Sequence, residues 1–200
     1  MSTALAFAAI AEQVKSAHPS VEARESDNRQ PWLLVPAADL PAVARLLRDA
    51  PALRFDSLAD LTGWDLAKFP ATPPSTDIAV AYYLHSLAHR HHLTLKVMAP
   101  RDAAQVPSVS GVWAVANYFE REVYDLLGVA FTGHPNLKRI MCPDDWIGHP
   151  LRKDYVYPQA YNGIAHLRDG QHFEDAPPRV GDPPPAPAAA APAKPPVKSA

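Results

Sequence analysis

From Ser110 to Pro158 the chain reads SGVWAVANYFEREVYDLLGVAFTGHPNLKRIMCPDDWIGHPLRKDYVYP, a helical pattern followed by a run of proline steps that no helix could accommodate. In its first part Val112, Val115, Phe119, Val123 and Leu126 recur at steps of three and four, and Gly128 stands where a left-handed C-terminal cap belongs. The spacing predicts a helix with one apolar face and with Glu120, Arg121, Glu122 and Asp125 on the opposite surface. Acids in the last two turns face the negative end of the helix dipole, at a cost of roughly 0.3 to 1 kcal/mol each, so they need cations. Arg121 can reach Asp125 one turn later, and Lys138, Arg139, Arg152 and Lys153 follow.

Beyond Gly128, the steps His134-Pro135, Cys142-Pro143, His149-Pro150 and Tyr157-Pro158 keep the preceding residues extended, giving a ribbon with tight corners. Carboxylates at Glu120, Glu122, Asp125, Asp144, Asp145 and Asp154 are nearly matched by Arg121, Lys138, Arg139, Arg152 and Lys153. Phe131, Leu137, Ile140, Met141, Trp146, Ile147 and Leu151 lie between them. An extended ribbon of that mixture cannot bury its own apolar groups, so it should lie along a surface of its own domain or of a partner.

The run ERE-x-YD-x-x-G-x-x-F-x-GHP-x-L-x-RI, then PDDW-x-GHPLRKDY, resembles the signature of the C-type, thirty-kilodalton subunit of proton-translocating NADH:quinone oxidoreductase, respiratory complex I. Here it is carried by Glu120, Arg121, Glu122, Tyr124, Asp125, Gly128, Phe131, Gly133, His134, Pro135, Leu137, Arg139 and Ile140, then by residues 143–146 and 148–155. Family members often have Trp-Pro where this chain has Trp113-Ala114, and Trp where it has Tyr118; both changes are compatible with a helix start. The resemblance implies a cofactor-free peripheral-arm protein that packs against the D-type subunit of complex I, which helps form the quinone cavity, near iron-sulfur subunits. FMN and the iron-sulfur clusters would sit in those partner subunits, carrying electrons from NADH to quinone with proton translocation. It would be peripheral, on the cytoplasmic side of the cell inner membrane, attached only through the complex. The partner interface implied on this chain is Glu120, Arg121, Glu122, Tyr124, Asp125, His134, Pro135, Arg139, Asp144, Asp145, Trp146, His149, Arg152, Lys153 and Asp154. The same signature would also serve a related membrane-bound hydrogenase or a ferredoxin- or F420-linked dehydrogenase.

The chain as a whole, 200 residues with net charge -2 and 48% apolar residues, reads as one domain with extensions and lacks a basic nucleic-acid footprint. Its longest apolar run, Ala4 to Ala11, is too short to span a bilayer and follows no Lys or Arg, so cytoplasmic synthesis is expected. The single cysteine, Cys142, excludes an internal disulfide and a four-thiolate cluster within the chain and is expected to pack beside Pro143.

Helices are expected over 3–18, ended by His18-Pro19, and from an Asp39 N-cap with Pro41 in the first turn to a stop before Pro51. Strands are expected at 21–24, 31–36, irregularly over 53–65, and as a hairpin of 78–87 with 93–99; residues 70–76 read as a loop. The fold class that follows is α+β: a mainly antiparallel sheet with helices packed on one face, then an extended C-terminal ribbon and a disordered Pro-rich tail. The expected divisions are 1–128, 129–175 and 176–200, the last with nine prolines in 25 residues and no aromatic.

Two clusters invite an enzymatic reading. In the cluster His85, His89, His91 and His92, the pair His85 and His89 would share a face and could hold a metal if the segment were helical, but the pattern there favours a strand and turn with solvated histidines. Glu120, Glu122, Asp125, Asp144 and Asp145 with His134 and His149 could serve acid-base or metal chemistry, although the nearby cations would quench poised carboxylates and instead lock the ribbon down. Neither a P-loop nor a nucleophile elbow is present. A freestanding metal-dependent enzyme and a Pro-rich adaptor therefore stand as alternatives to the scaffold, with no catalytic, cofactor or metal residue assigned.

Overall fold

The computed structural model describes residues 5–25, 30–67, 77–158, 160–162 and 164–165. The chain centres on a five-stranded sheet, built from β1 (Glu22–Glu25), β2 (Pro31–Leu34), β3 (Ser57–Asp65), β4 (Ile78–Ser86) and β5 (His91–Ala99) in the spatial order β1-β2-β5-β4-β3. Strict alternation in β4 and β5 sends Ile78, Val80, Tyr82 and Leu84 with Leu93, Leu95, Val97 and Ala99 to one buried face. Three helices lie over it: α1 (Phe7–Ala17), α2 (Leu40–Asp49) and α3 (Ala116–Leu127). The α+β class with helices on one face is thus observed, with one departure: β2 runs parallel to β5, and the short β6 (Gln105–Pro107) runs parallel to β7 (Ala130–Thr132).

Local signals mostly landed where expected. His18 ends α1, β3 carries the anticipated irregularity as a bulge between Leu58 and Asp60, and of the expected stripe Leu40, Val43, Leu46 and Leu47 in α2 all but half-buried Leu46 are fully buried, with Ala44 buried beside them. Asp39 occupies the N-cap position but makes no capping bond, because its carboxylate accepts from the Ser20 hydroxyl instead. The expected loop at 70–76 and the Pro-rich tail at 176–200 lie outside the described residues.

The last helix differs from expectation. It begins at Ala116, since residues 109–115 form turns closed by Val112 and Trp113 donating to the Val109 carbonyl. Its buried positions are Ala116, Glu120, Val123, Asp125 and Leu127, whereas Val115 is exposed. Two carboxylates thus stand on buried sides of a helix that approaches β3 closely at Gly63, where an added Cβ would lie 2.7 Å from the Leu127 methyl.

One compact unit extends past the division expected at 128, to Tyr155, and a second begins at Val156. Within the second, β8 (Ala160–Tyr161) and β9 (Ile164–Ala165) pair as a hairpin turned at Asn162. Among the described residues no helix is long and apolar enough to cross a membrane.

Candidate functional site

An α-helix leaves its last four carbonyls without intrahelical donors. In α3 these belong to Tyr124, Asp125, Leu126 and Leu127, and all four are answered from the ribbon or the cap. The Gly128 N–H donates to Tyr124 O (2.8 Å), the His149 ring Nδ1 to Asp125 O (2.8 Å), the Leu151 N–H to Leu126 O (2.9 Å) and Arg152 Nε to Leu127 O (2.7 Å). Gly128 has φ 74°, the left-handed cap its sequence position implied. It is also the floor on which His149 and Arg152 rest: a Cβ there would meet the His149 ring at 2.6 Å and Arg152 at 2.8 Å.

Asp125, fully buried, fixes the ribbon at its first corner. One carboxylate oxygen accepts from Arg139 Nη1 at 2.5 Å; the other accepts three consecutive backbone N–H groups, Ile140 at 3.0 Å, Met141 at 2.7 Å and Cys142 at 2.8 Å. Burial by itself would raise the pKa of this carboxyl; the three amides and Arg139 outweigh it and hold the group below its ordinary value. Arg139 also donates to Gly148 O at 2.9 Å, joining two corners of the ribbon. The expected Arg121–Asp125 pair does not form, because Arg121 is drawn to the carbonyls of Lys138 (3.1 Å) and Arg139 (3.0 Å).

A second clamp lies at the far end. Asp65, buried at the end of β3, accepts the Lys153 N–H at 2.8 Å and pairs with Arg101, whose other nitrogen meets Asp154 at 2.5 Å. Neither Asp65 nor Arg101 was singled out from the sequence. The available signal was an acid at a core-facing position of a strand, since Asp65 pairs with buried Ile78.

Glu120 has no such cation. Its oxygens accept from the Val109 N–H (2.7 Å) and the Ser108 hydroxyl (2.6 Å), and His134 Nε2 stands 3.9 Å away, donating instead to Asn117 O. Burial therefore prevails over the two hydrogen bonds and raises its pKa to about 7. Burial, then the nearby Glu120 carboxylate, also raises the Tyr82 phenol well above its ordinary value.

The residues expected at an interface thus divide by depth. Glu120 and Asp125 are buried within the chain; Arg121, Glu122, Tyr124, His134, Arg139, Trp146, His149 and Arg152 are half-buried; Pro135, Asp144, Asp145, Lys153 and Asp154 are exposed. Asp125–Arg139 and Asp154–Arg101 close inside the chain. Outward from these clamps the ribbon turns Ile140, Met141, Ile147 (80% exposed) and Leu151 to solvent. Cys142 is half-buried and gives its backbone N–H to Asp125.

The histidine cluster separates across the sheet. His91 is not a solvated turn residue: its ring packs 4.7 Å from Phe55 and its Nε2 donates to Leu53 O at 2.7 Å. His89 Nε2 donates to Pro51 O at 2.8 Å, while His85 and His92 are exposed cross-strand neighbours on the opposite face. Among the described residues no group of three His, Cys, Asp or Glu side chains is arranged to hold a metal ion.

Fold and site together define an α+β domain whose C-terminal ribbon is wound onto its last helix by buried carboxylates, with apolar side chains turned outward. Residues 33–161 match the respiratory-chain NADH dehydrogenase 30 Kd subunit family, and the chain belongs to that family. It is 41% identical over 147 residues to the C-type subunit of the NADH-quinone oxidoreductase of Chlorobium phaeobacteroides, covering 72% of this chain and 85% of the relative. Among solved structures it is similar to a trypsin-resistant fragment of Nqo5 (28% identity, TM-score 0.54, covering 66% of this chain and 98% of the fragment). A chain of the membrane-bound sulfane sulfur reductase, an archaeal respiratory membrane complex, is also similar (25% identity, TM-score 0.60, covering 74% and 84%).

Proposed function

We propose that this chain is a non-catalytic, cofactor-free subunit of a proton-translocating NADH:quinone oxidoreductase, in which it scaffolds the quinone-reducing module by packing against the D-type subunit. The observation that carries this reading is the ribbon: Arg139 and Arg152 are spent inward on α3, the Lys153 backbone N–H on Asp65 and Asp154 on Arg101, while Ile140, Met141, Ile147 and Leu151 face out. Such a strip gains by burial against a partner, about 25 cal/mol for each Å² of apolar surface covered. Exposed Asp144, Asp145, Lys153 and Asp154 form the polar margin of that contact. Partner subunits hold FMN and the iron-sulfur clusters that pass electrons from NADH to quinone. The chain sits peripherally on the cytoplasmic side of the cell inner membrane, attached through the complex.

A second reading keeps the role and changes the assembly. Likeness to a chain of the sulfane sulfur reductase supports a place in a related membrane complex, a membrane-bound hydrogenase or a ferredoxin- or F420-linked dehydrogenase among them.

Recovery of the tagged chain from native membranes in mild detergent, with mass spectrometry of what accompanies it, tests both. A D-type subunit with flavin and iron-sulfur subunits is the expected company, and a hydrogenase-like large subunit would move the chain to the sister assembly. Ile147→Asp with Leu151→Asp should lose the company while shifting the stability of the chain by no more than about 0.5 kcal/mol, as exposed positions do. A chain that travels alone with stoichiometric metal would sink the scaffold reading.

A further inference from the structure

The face of the five-stranded sheet turned away from the helices is unlike an ordinary solvated face. Alternation and register bring to it Trp32 and Leu34 of β2, Lys96 and Met98 of β5, Tyr83 of β4 and Trp64 of β3. A one-sided antiparallel sheet normally presents polar residues to water. Of these all but Tyr83 are half-buried, Ala79 and Ala81 beneath them are 1% and 0% exposed, and exposed Glu22, Arg24, Asp60, His85 and His92 stand around them. Trp32, Lys96 and Trp64 thus form a layer across the sheet, with the lysine between the two indoles.

Lys96 stands inside that layer. Its ammonium is 4.2 Å from the ring centre of Trp32 and 5.3 Å from that of Trp64, and no carboxylate among the described residues pairs with it. Two indole faces replace part of its hydration without neutralising it, and burial lowers its pKa. Nucleic acid or an anionic membrane would need several clustered cations. Among the described residues the other Lys or Arg on this face, Arg24, is already paired with Glu22, and Asp60 adds negative charge near Tyr83. Aromatic and Met side chains around one charge that no described carboxylate pairs match the composition of a protein contact core.

We propose that this outer face is a second docking surface, separate from the ribbon, which receives a neighbouring protein whose patch is apolar and sets an Asp or Glu carboxylate on Lys96. The proposal rests on the reading that the chain works inside a multi-subunit complex, and it adds a contact on the side remote from α3. Its test compares amine acetylation of the isolated full chain with that of the assembled complex, read residue by residue by mass spectrometry. Lys96 should be labelled in the free chain and lose its labelling in the complex, and a carbodiimide should join it to an Asp or Glu of another subunit. Lys96→Arg should keep assembly, and Lys96→Glu should weaken it about tenfold or more. Equal labelling of Lys96 in both states, with no cross-link, overturns the docking face while leaving the proposed role in the complex intact; a chain that never assembles overturns both. Should Lys96→Glu fail to fold, the labelling comparison still decides.

Discussion

Asp125 and Glu120 sit five residues apart on one helix and neither has solvent-accessible surface, yet their ionisation runs in opposite directions. The difference lies in the donors and in burial, which weighs more heavily on Glu120. Asp125 receives three amides and a guanidinium, so the native state favours its charge; that stabilisation is present above the ordinary carboxylate pKa of 3.8 and is lost as pH falls through the lower native value. Asp125→Ala strands Arg139 and three amides, and should cost about 3–5 kcal/mol in denaturant unfolding. Glu120 receives one amide and one hydroxyl, so the native state favours its proton. Its folded pKa of about 7 exceeds the ordinary 4.5; the native state therefore binds more protons between those values, and stability declines as pH rises across that window. The decline is at most about 3 kcal/mol. Glu120→Gln should flatten the melting temperature between pH 5 and pH 8, and an unchanged slope would show that another group titrates there.

At the scale of elements, the C-terminus of α3 does what a helix end rarely does alone: each of its last four carbonyls receives a donor, three of them from the ribbon. The ribbon is thereby an extension of the helix cap. Gly128 is needed twice, for its left-handed φ and for the space occupied by His149 and Arg152. Gly128→Ala should cost roughly 1–2 kcal/mol for backbone strain alone, and more from displacement of the two side chains. A double-mutant cycle with His149→Ala separates these parts: a double mutant less destabilised than the sum of the singles identifies the steric share, and strict additivity would argue that the ring is easily moved.

For the molecule, α3 is held between the sheet, through Gly63 and Leu127, and the ribbon, through Asp125 and its carbonyls. The ribbon's far end is fastened to β3 and to Arg101. Division at 128 would sever all of this, leaving a buried carboxylate and helix carbonyls facing water or apolar surface. A chain ended at residue 128 should therefore lose cooperative unfolding by calorimetry, whereas one ended at 165 should keep it. Cooperative melting of the shorter chain would show 1–128 to be an independent domain.

Much of this was legible along the chain. Alternation at Ile78 to Ala99 fixed the central hairpin, Gly128 the helix end, and the spaced prolines the extended course of the ribbon, because each depends on backbone preferences within a few residues. Tertiary structure alone decided the partners of the charges. Arg121 and Asp125 stand at the proper helical spacing, but a carboxylate turned into the protein binds the donors that reach it there, and those come from Arg139 to Cys142. His91 and His92 are neighbours in sequence that alternation sends to opposite faces, one beside Phe55 and one to solvent. Burial depends on what the remaining chain brings across a face, and no local pattern carries that information.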